Sequence, residues 1–241
     1  MAYNRMSDYY DLLTADQPYH KWKYIVEHFI SSSENEILDI GCGTGTLTSQ
    51  LTEYGQVSGV DISQEMLEIA ESRNPSINWY CQDMRDLELP NQYDMITIFC
   101  DSLNYVTEPE DILQVFNYID KYLKDEGIFI FDVHSIYKMN HQFNNQNYID
   151  EEERLTLIWQ AITGEEPNSV YHQMSFFVER EDGLYERFDE EHYQCTFEIS
   201  LYEELLKLAG FEIKTKFTDF DIDTYSEQGD RQFIVAQKMN K

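Results

Sequence analysis

The 241-residue chain carries 17 Lys and Arg against 46 Asp and Glu, a net charge of −29 that repels a phosphate backbone and removes nucleic acid from the expected partners. No stretch reaches the roughly 18 consecutive apolar residues of a membrane helix, and Met1-Ala2-Tyr3-Asn4-Arg5 lacks the apolar core of a secretory signal, so no membrane partner and a cytoplasmic setting are expected. Cys42, Cys81, Cys100 and Cys195 are dispersed and the histidines form no HExxH-like pattern, so neither a disulfide scaffold nor a metal site is expected.

Residues 21–31 space Trp22, Ile25, Val26, Phe29 and Ile30 in a helical rhythm and predict a first helix. The apolar run 37–40 ends in glycines, and Leu47 and Leu51 continue at helical spacing, which predicts a strand, a tight loop and a helix. A second strand over 57–60 ends at Asp61 and precedes a helical segment through Met66, Leu67 and Ile69. Strands follow over 77–80, 93–99 and 127–133, with a helix carrying Ile112, Val115, Phe116, Ile119 and Leu123 between the last two. Strands alternating with helices imply a parallel sheet covered on both faces, a doubly wound α/β fold.

From 134 to 197 the pattern becomes a loose alternation of polar and aromatic residues, with strands predicted over 171–179 and 185–197 about an Asp182-Gly183 turn. A helix over 200–208, a stop at Ala209-Gly210 and strands over 211–217 and 232–237 complete the chain. The expected organisation is therefore an α/β core from 1–133 and 198–241, interrupted by an antiparallel insertion at 134–197.

Asp39-Ile40-Gly41-Cys42-Gly43-Thr44-Gly45 stands where the first strand turns into a helix. Glycines let a ligand approach the backbone, and a helix start offers unpaired N–H groups. Twenty residues beyond Gly41, Asp61 ends the second strand, where a carboxylate can accept from both hydroxyls of a ribose. A dinucleotide fingerprint reads GxGxxG, whereas the glycines here alternate as GxGxG behind an acid. Asp83-Met84, after the third strand, can offer an acceptor to an adenine amino group and a side chain to pack on its ring. An Asp in a loop is by itself more often a turn residue, and only its place in the series favours the first reading.

This series resembles the class I S-adenosylmethionine-dependent methyltransferases, and within them a group of small bacterial proteins marked by Cys100-Asp101-Ser102-Leu103-Asn104-Tyr105 and Phe131-Asp132-Val133. The resemblance implies a seven-stranded, mostly parallel sheet whose last strand is antiparallel, with S-adenosylmethionine as cofactor. It places Gly41, Cys42 and Gly43 by the methionine moiety and gives Asp39 the task of holding the loop or reaching the cofactor amine through water. It further implies cofactor contacts from Asp61, Ile62, Met66, Asp83, Met84 and Cys100, and from an N-terminal lid containing Tyr9, Tyr10, Tyr19 and Trp22, whose rings could equally pack the first helix onto the sheet.

Methyl transfer from a sulfonium needs an aligned nucleophile and, where that nucleophile carries a proton, a group to remove it. Asp101 and His134 follow strands that open on the cofactor edge and are the candidate catalytic residues, with Asn104 beside them. The insertion resembles in position a substrate cover, with aromatic candidates that include Tyr171, His172, Phe176, Phe188 and His192. The leading expectation is methyl transfer to an O or N atom of a small molecule. A non-catalytic cofactor-binding module and an NAD-dependent oxidoreductase are the alternatives, and GxGxG with Asp83-Met84 argues against the second.

Overall fold

The computed structural model describes residues 17–30, 34–152 and 154–239. Tyr9 and Tyr10 of the expected lid lie outside them. Helix α1 (Tyr19–Phe29) turns Trp22, Ile25 and Val26 inward, positions three and four apart as one helical face requires. Strand β1 (Asn35–Ile40), α2 (Thr46–Leu51), β2 (Gly55–Asp61), α3 (Gln64–Arg73), β3 (Asn78–Cys81), β4 (Tyr93–Ile98), α4 (Pro109–Tyr122) and β5 (Leu123–His134) follow. α4 begins on Pro109 with Glu110 and Asp111 in its first turn and carries Lys121 in its last, charges that oppose the helix dipole favourably at both ends.

After α5 (Ile136–His141) come β6 (Gln146–Glu152), β7 (Leu155–Thr163), β8 (Ser169–Glu179) and β9 (Tyr185–Cys195), a four-stranded antiparallel sheet in the order β6-β7-β8-β9. The sequence predicts only the last two. β6 is exposed at every position, so no alternation marks it, and Leu157-Ile158-Trp159 in β7 puts apolar side chains on both faces, which erases the period of two. The chain then re-enters the core through α6 (Ile199–Ala209), which stops at Gly210 with φ 98°, and ends in β10 (Phe211–Thr218) and β11 (Arg231–Lys238).

The main sheet has seven strands in the order β10-β11-β5-β4-β1-β2-β3. β1 pairs in parallel with both β2 and β4, and β11 runs antiparallel between β5 and β10. Alternate residues feed opposite faces. Leu38, Ile98, Phe129 and Phe131 pack against α4 and α6, while Ile37, Met95, Ile130 and Val235 pack against α1 and α2. Each such side chain, once fully buried, stabilises the fold by about 1.5–3 kcal/mol. Strand order reverses at β1 and β4, and a crevice opens there at the carboxyl ends of the strands. The insertion leaves and rejoins this core at one place, where the Thr196 hydroxyl donates to the His134 carbonyl at 2.6 Å.

Candidate active site

The loop after β1 is pinned from beneath, since the N–H groups of Gly41 and Cys42 both donate to the Val60 carbonyl, at 2.8 and 3.1 Å. Gly41 has φ 72°, and a Cβ there would collide with the Ser102 side chain, so the glycine answers both to conformation and to close approach. Asp39 is buried behind the loop with both oxygens engaged, accepting from the Thr48 hydroxyl at 2.6 Å and the Thr97 hydroxyl at 2.9 Å. Burial pushes its carboxyl up to about 6 in spite of those donors. Asp61 accepts from the N–H of Gly43 at 2.8 Å and of Ser63 at 2.9 Å, and burial raises its pKa as well. Tyr19, Asp39, Gly41, Cys42, Gly43, Thr44, Phe99 and Cys100 line one crevice.

On the opposite wall Cys100 and Asp101 both adopt left-handed backbone, with φ 53° and 55°, a pairing that costs about 1–3 kcal/mol per residue when no glycine is present. The Asp101 N–H is held by Asp132 Oδ1 at 2.8 Å. Asp132, buried in β5, also accepts from the Trp22 indole at 2.7 Å and lies 3.0 Å from Arg231 Nη1. Arg231 Nη2 reaches Asp101 Oδ1 at 2.9 Å, so one guanidinium bridges two carboxylates. Because β11 is antiparallel, its first residue arrives at the edge where the parallel strands end. Sequence reasoning missed Arg231, and that reversed direction is the signal that could have found it.

His134 ends β5 with its ring buried edge-on against Phe143, at 5.2 Å between centroids. Its Nε2 lies 3.3 Å from Asp101 Oδ2, while its Nδ1 is buried without a hydrogen-bond partner among the described residues. Burial lowers the imidazole to about 4. Burial also opposes charge on Asp101, but the cationic Arg231 beside it helps to hold that carboxyl well below the usual range. A neutral imidazole thus faces an ionised carboxylate, and with its proton on Nε2 it would keep a lone pair on Nδ1.

A family model for a methyltransferase domain matches residues 37–127. A protein of Geobacillus sp. (strain WCH70), named as a methyltransferase, is 40% identical over 247 residues, which span 99% of this chain and 100% of that one. The crystal structure of an S-adenosylmethionine-dependent methyltransferase from Clostridium acetobutylicum is 30% identical and covers 99% of both chains with a TM-score of 0.86. The chain belongs to the class I S-adenosylmethionine-dependent methyltransferases. The fold is shared more widely, with the sugar N-methyltransferase KedS8 of Streptoalloteichus superposing at a TM-score of 0.76 over 96% of this chain and 93% of that one, at 19% identity.

S-adenosylmethionine is the cofactor of this methyltransferase, and the crevice has the chemistry to hold it. Each Asp61 oxygen accepts one backbone N–H and keeps a lone pair for a ribose hydroxyl, and the glycine loop presents backbone without a side chain in the way. Beside Asp61, Ile62 stands 64% exposed, an apolar face for an adenine ring, whereas Met66 is buried in α3 and supports that wall from behind. Burial keeps the Cys42 and Cys100 thiols protonated, so both are wall residues rather than nucleophiles.

Other sequence expectations are met differently. Trp22 takes the packing alternative: its ring is buried, edge-on to Phe220 at 4.7 Å, and its N–H is committed to Asp132, which leaves Tyr19 as the described aromatic of α1 that lines the crevice. Both oxygens of Asp83 face Arg85, at 2.6 Å for the shortest contact, so an adenine amino group would share that carboxylate. Met84 packs partly against the core. The Asn104 amide is used up in tying the N–H of His134 to the carbonyl of Cys195. Phe176 and Phe188 stack at 4.7 Å in a cluster with Leu155 and Leu157.

Proposed function

We propose that this methyltransferase acts on an oxygen or nitrogen atom of a small molecule in the cytoplasm, with His134 Nδ1 receiving the acceptor's proton and Asp101 orienting the imidazole. The observation that carries this reading is the unpartnered Nδ1 lone pair of a buried, neutral histidine whose other nitrogen faces an ionised carboxylate. When bound, the cofactor supplies an activated methyl group on a sulfonium. His134 Nδ1 would take the proton that the acceptor gives up on methylation, and Asp101 would stabilise the imidazolium so formed.

The antiparallel sheet rests on the loop between Asp101 and Tyr105 through Gln194 and His192, which suits it as a cover over the acceptor. A sugar amine is the acceptor class suggested by the name of KedS8. The test is release of S-adenosylhomocysteine with a panel of amino sugars and hydroxylated metabolites. A turnover loss of roughly 10²–10⁴-fold in His134→Ala, with unaltered S-adenosylhomocysteine affinity, supports the assignment. Full turnover in that variant removes it.

A further inference from the structure

Asp101 receives a second side-chain hydrogen bond besides that from Arg231, on the oxygen that lies 3.3 Å from His134 Nε2. The Gln194 side-chain amide donates to Asp101 Oδ2 at 2.9 Å, and the other end of that amide meets His172 Nε2 at 3.1 Å. His172 Nδ1 in turn faces the Trp159 indole nitrogen at 3.0 Å. These three side chains come from β9, β8 and β7, and His172 and Gln194 are almost fully buried.

We infer that Trp159, His172 and Gln194 form a hydrogen-bond relay of fixed direction from the antiparallel sheet to the Asp101 carboxylate, and that His172 and Gln194 are positioning residues for proton removal by His134. The inference rests on the reading of His134 given above. An indole N–H can only donate, so His172 Nδ1 must accept and the His172 proton must sit on Nε2. The atom of Gln194 facing that N–H is therefore its carbonyl oxygen, which leaves the NH₂ group to face Asp101. An ionised Asp101 accepts that bond more strongly than a protonated one would, so the NH₂ group favours the carboxylate. Asp101 Oδ2, kept ionised and held in place by Gln194, lies 3.3 Å from His134 Nε2, which favours the His134 proton on Nε2 and the lone pair on Nδ1.

The surroundings agree. His172 is faced by His192 from β9, Lys138 from α5 and Asp101 from the end of β4, and burial lowers its pKa to about 4, so it stays neutral as the relay requires. Asp101 is faced by His134 from β5, Arg231 from β11 and Lys138 from α5. The main sheet fixes one oxygen of the carboxylate through Arg231 and the antiparallel sheet fixes the other through Gln194.

The test uses the full chain, isotopically labelled at its histidine ring nitrogens and saturated with S-adenosylhomocysteine, in long-range proton–nitrogen correlation spectra that show which nitrogen carries the hydrogen. Both His172 and His134 are expected as single Nε2–H tautomers between about pH 6 and 8. Gln194→Leu should lose the single-tautomer pattern at His134. A merely structural Gln194 would lower the melting temperature and leave the His134 ring as it was. Trp159→Phe keeps an aromatic ring, removes only the donor, and should release His172 into a tautomer mixture, so it decides the matter if Gln194→Leu fails to fold. An Nδ1–H form of His172 in the unaltered protein, or a His172 ring unaffected by Trp159→Phe, overturns the relay. The predicted spectra combined with full turnover of His134→Ala would support the relay and overturn only the reading of His134 as the base.

Discussion

Asp61 accepts the Gly43 N–H at 2.8 Å, so the carboxylate expected to meet the ribose also closes the glycine loop. Asp61→Ala removes a charged acceptor from both partners. Hydrogen bonds to charged groups contribute about 1.5–3 kcal/mol each, so S-adenosylhomocysteine should bind at least about tenfold more weakly. Calorimetric titration measures this, and unchanged affinity would place the ribose elsewhere.

Gly41→Ala meets two obstacles, a left-handed φ of 72° and the Ser102 side chain in the path of the new Cβ. The conformational part costs about 1–3 kcal/mol. The melting temperature should fall, and the companion variant Ser102→Gly should restore part of it by clearing the collision. If the pair recovers nothing, the close approach is irrelevant and the backbone conformation is the whole effect.

Asp39 gives a pH signature. Its pKa is raised by burial from 3.8 to about 6 in the fold, so its contribution to stability is fully present below about pH 4 and lost as pH rises through about 6. The loss amounts to about 3 kcal/mol at most. Asp39→Asn cannot ionise, so its stability relative to the unaltered protein should improve between pH 4 and 7. Urea denaturation at the two pH values reads the difference directly, and a constant difference would mean that the carboxylate is better solvated than its burial indicates.

Arg231→Leu should be the most damaging of the single changes. It strands Asp101 and the fully buried Asp132 without their cation, and breaking a buried pair in this way costs about 3–5 kcal/mol. Asp132→Asn in the same chain should return part of the loss, because it removes one stranded charge. Denaturation midpoints of the single and double variants give the coupling.

Burial lowers His134 to about 4, so under the proposed mechanism its proton-accepting form is already complete near neutrality. Turnover at saturating cofactor should rise through the acidic range and stay flat between about pH 6 and 8. An inflection near the ordinary histidine value of about 6.5 would show that the ring is solvated in the working enzyme.

The core was legible because periodicity is local: Ile37 to Ile40 in a run, or Ile112, Val115, Phe116 and Ile119 at helical spacing, declare a strand or a helix within a few residues. The loop of Gly41 and the acid at Asp61 were legible for the same reason, since one turn and the strand beside it create the crevice. The opposite wall was not. Trp22 meets Asp132 across 110 positions of sequence and Arg231 meets Asp101 across 130, and no local pattern distinguishes such residues from an ordinary helix aromatic and an ordinary strand-end arginine. His134 is legible by its place at the end of β5, but the surroundings of its ring depend on Phe143 and Asp101, brought to it only by tertiary packing.

The bond between Thr196 and His134 brings the two doorposts of the antiparallel sheet to within 2.6 Å of each other. A segment that departs and returns through one doorway behaves as a cassette. Its interior can lengthen, shorten or be rewritten while the strands around the glycine loop keep their register, so, with this sheet as the proposed cover, the acceptor could change in evolution independently of the methyl donor. Gln194 marks the limit of that freedom under the proposed relay, which needs a donor to Asp101 from the cassette.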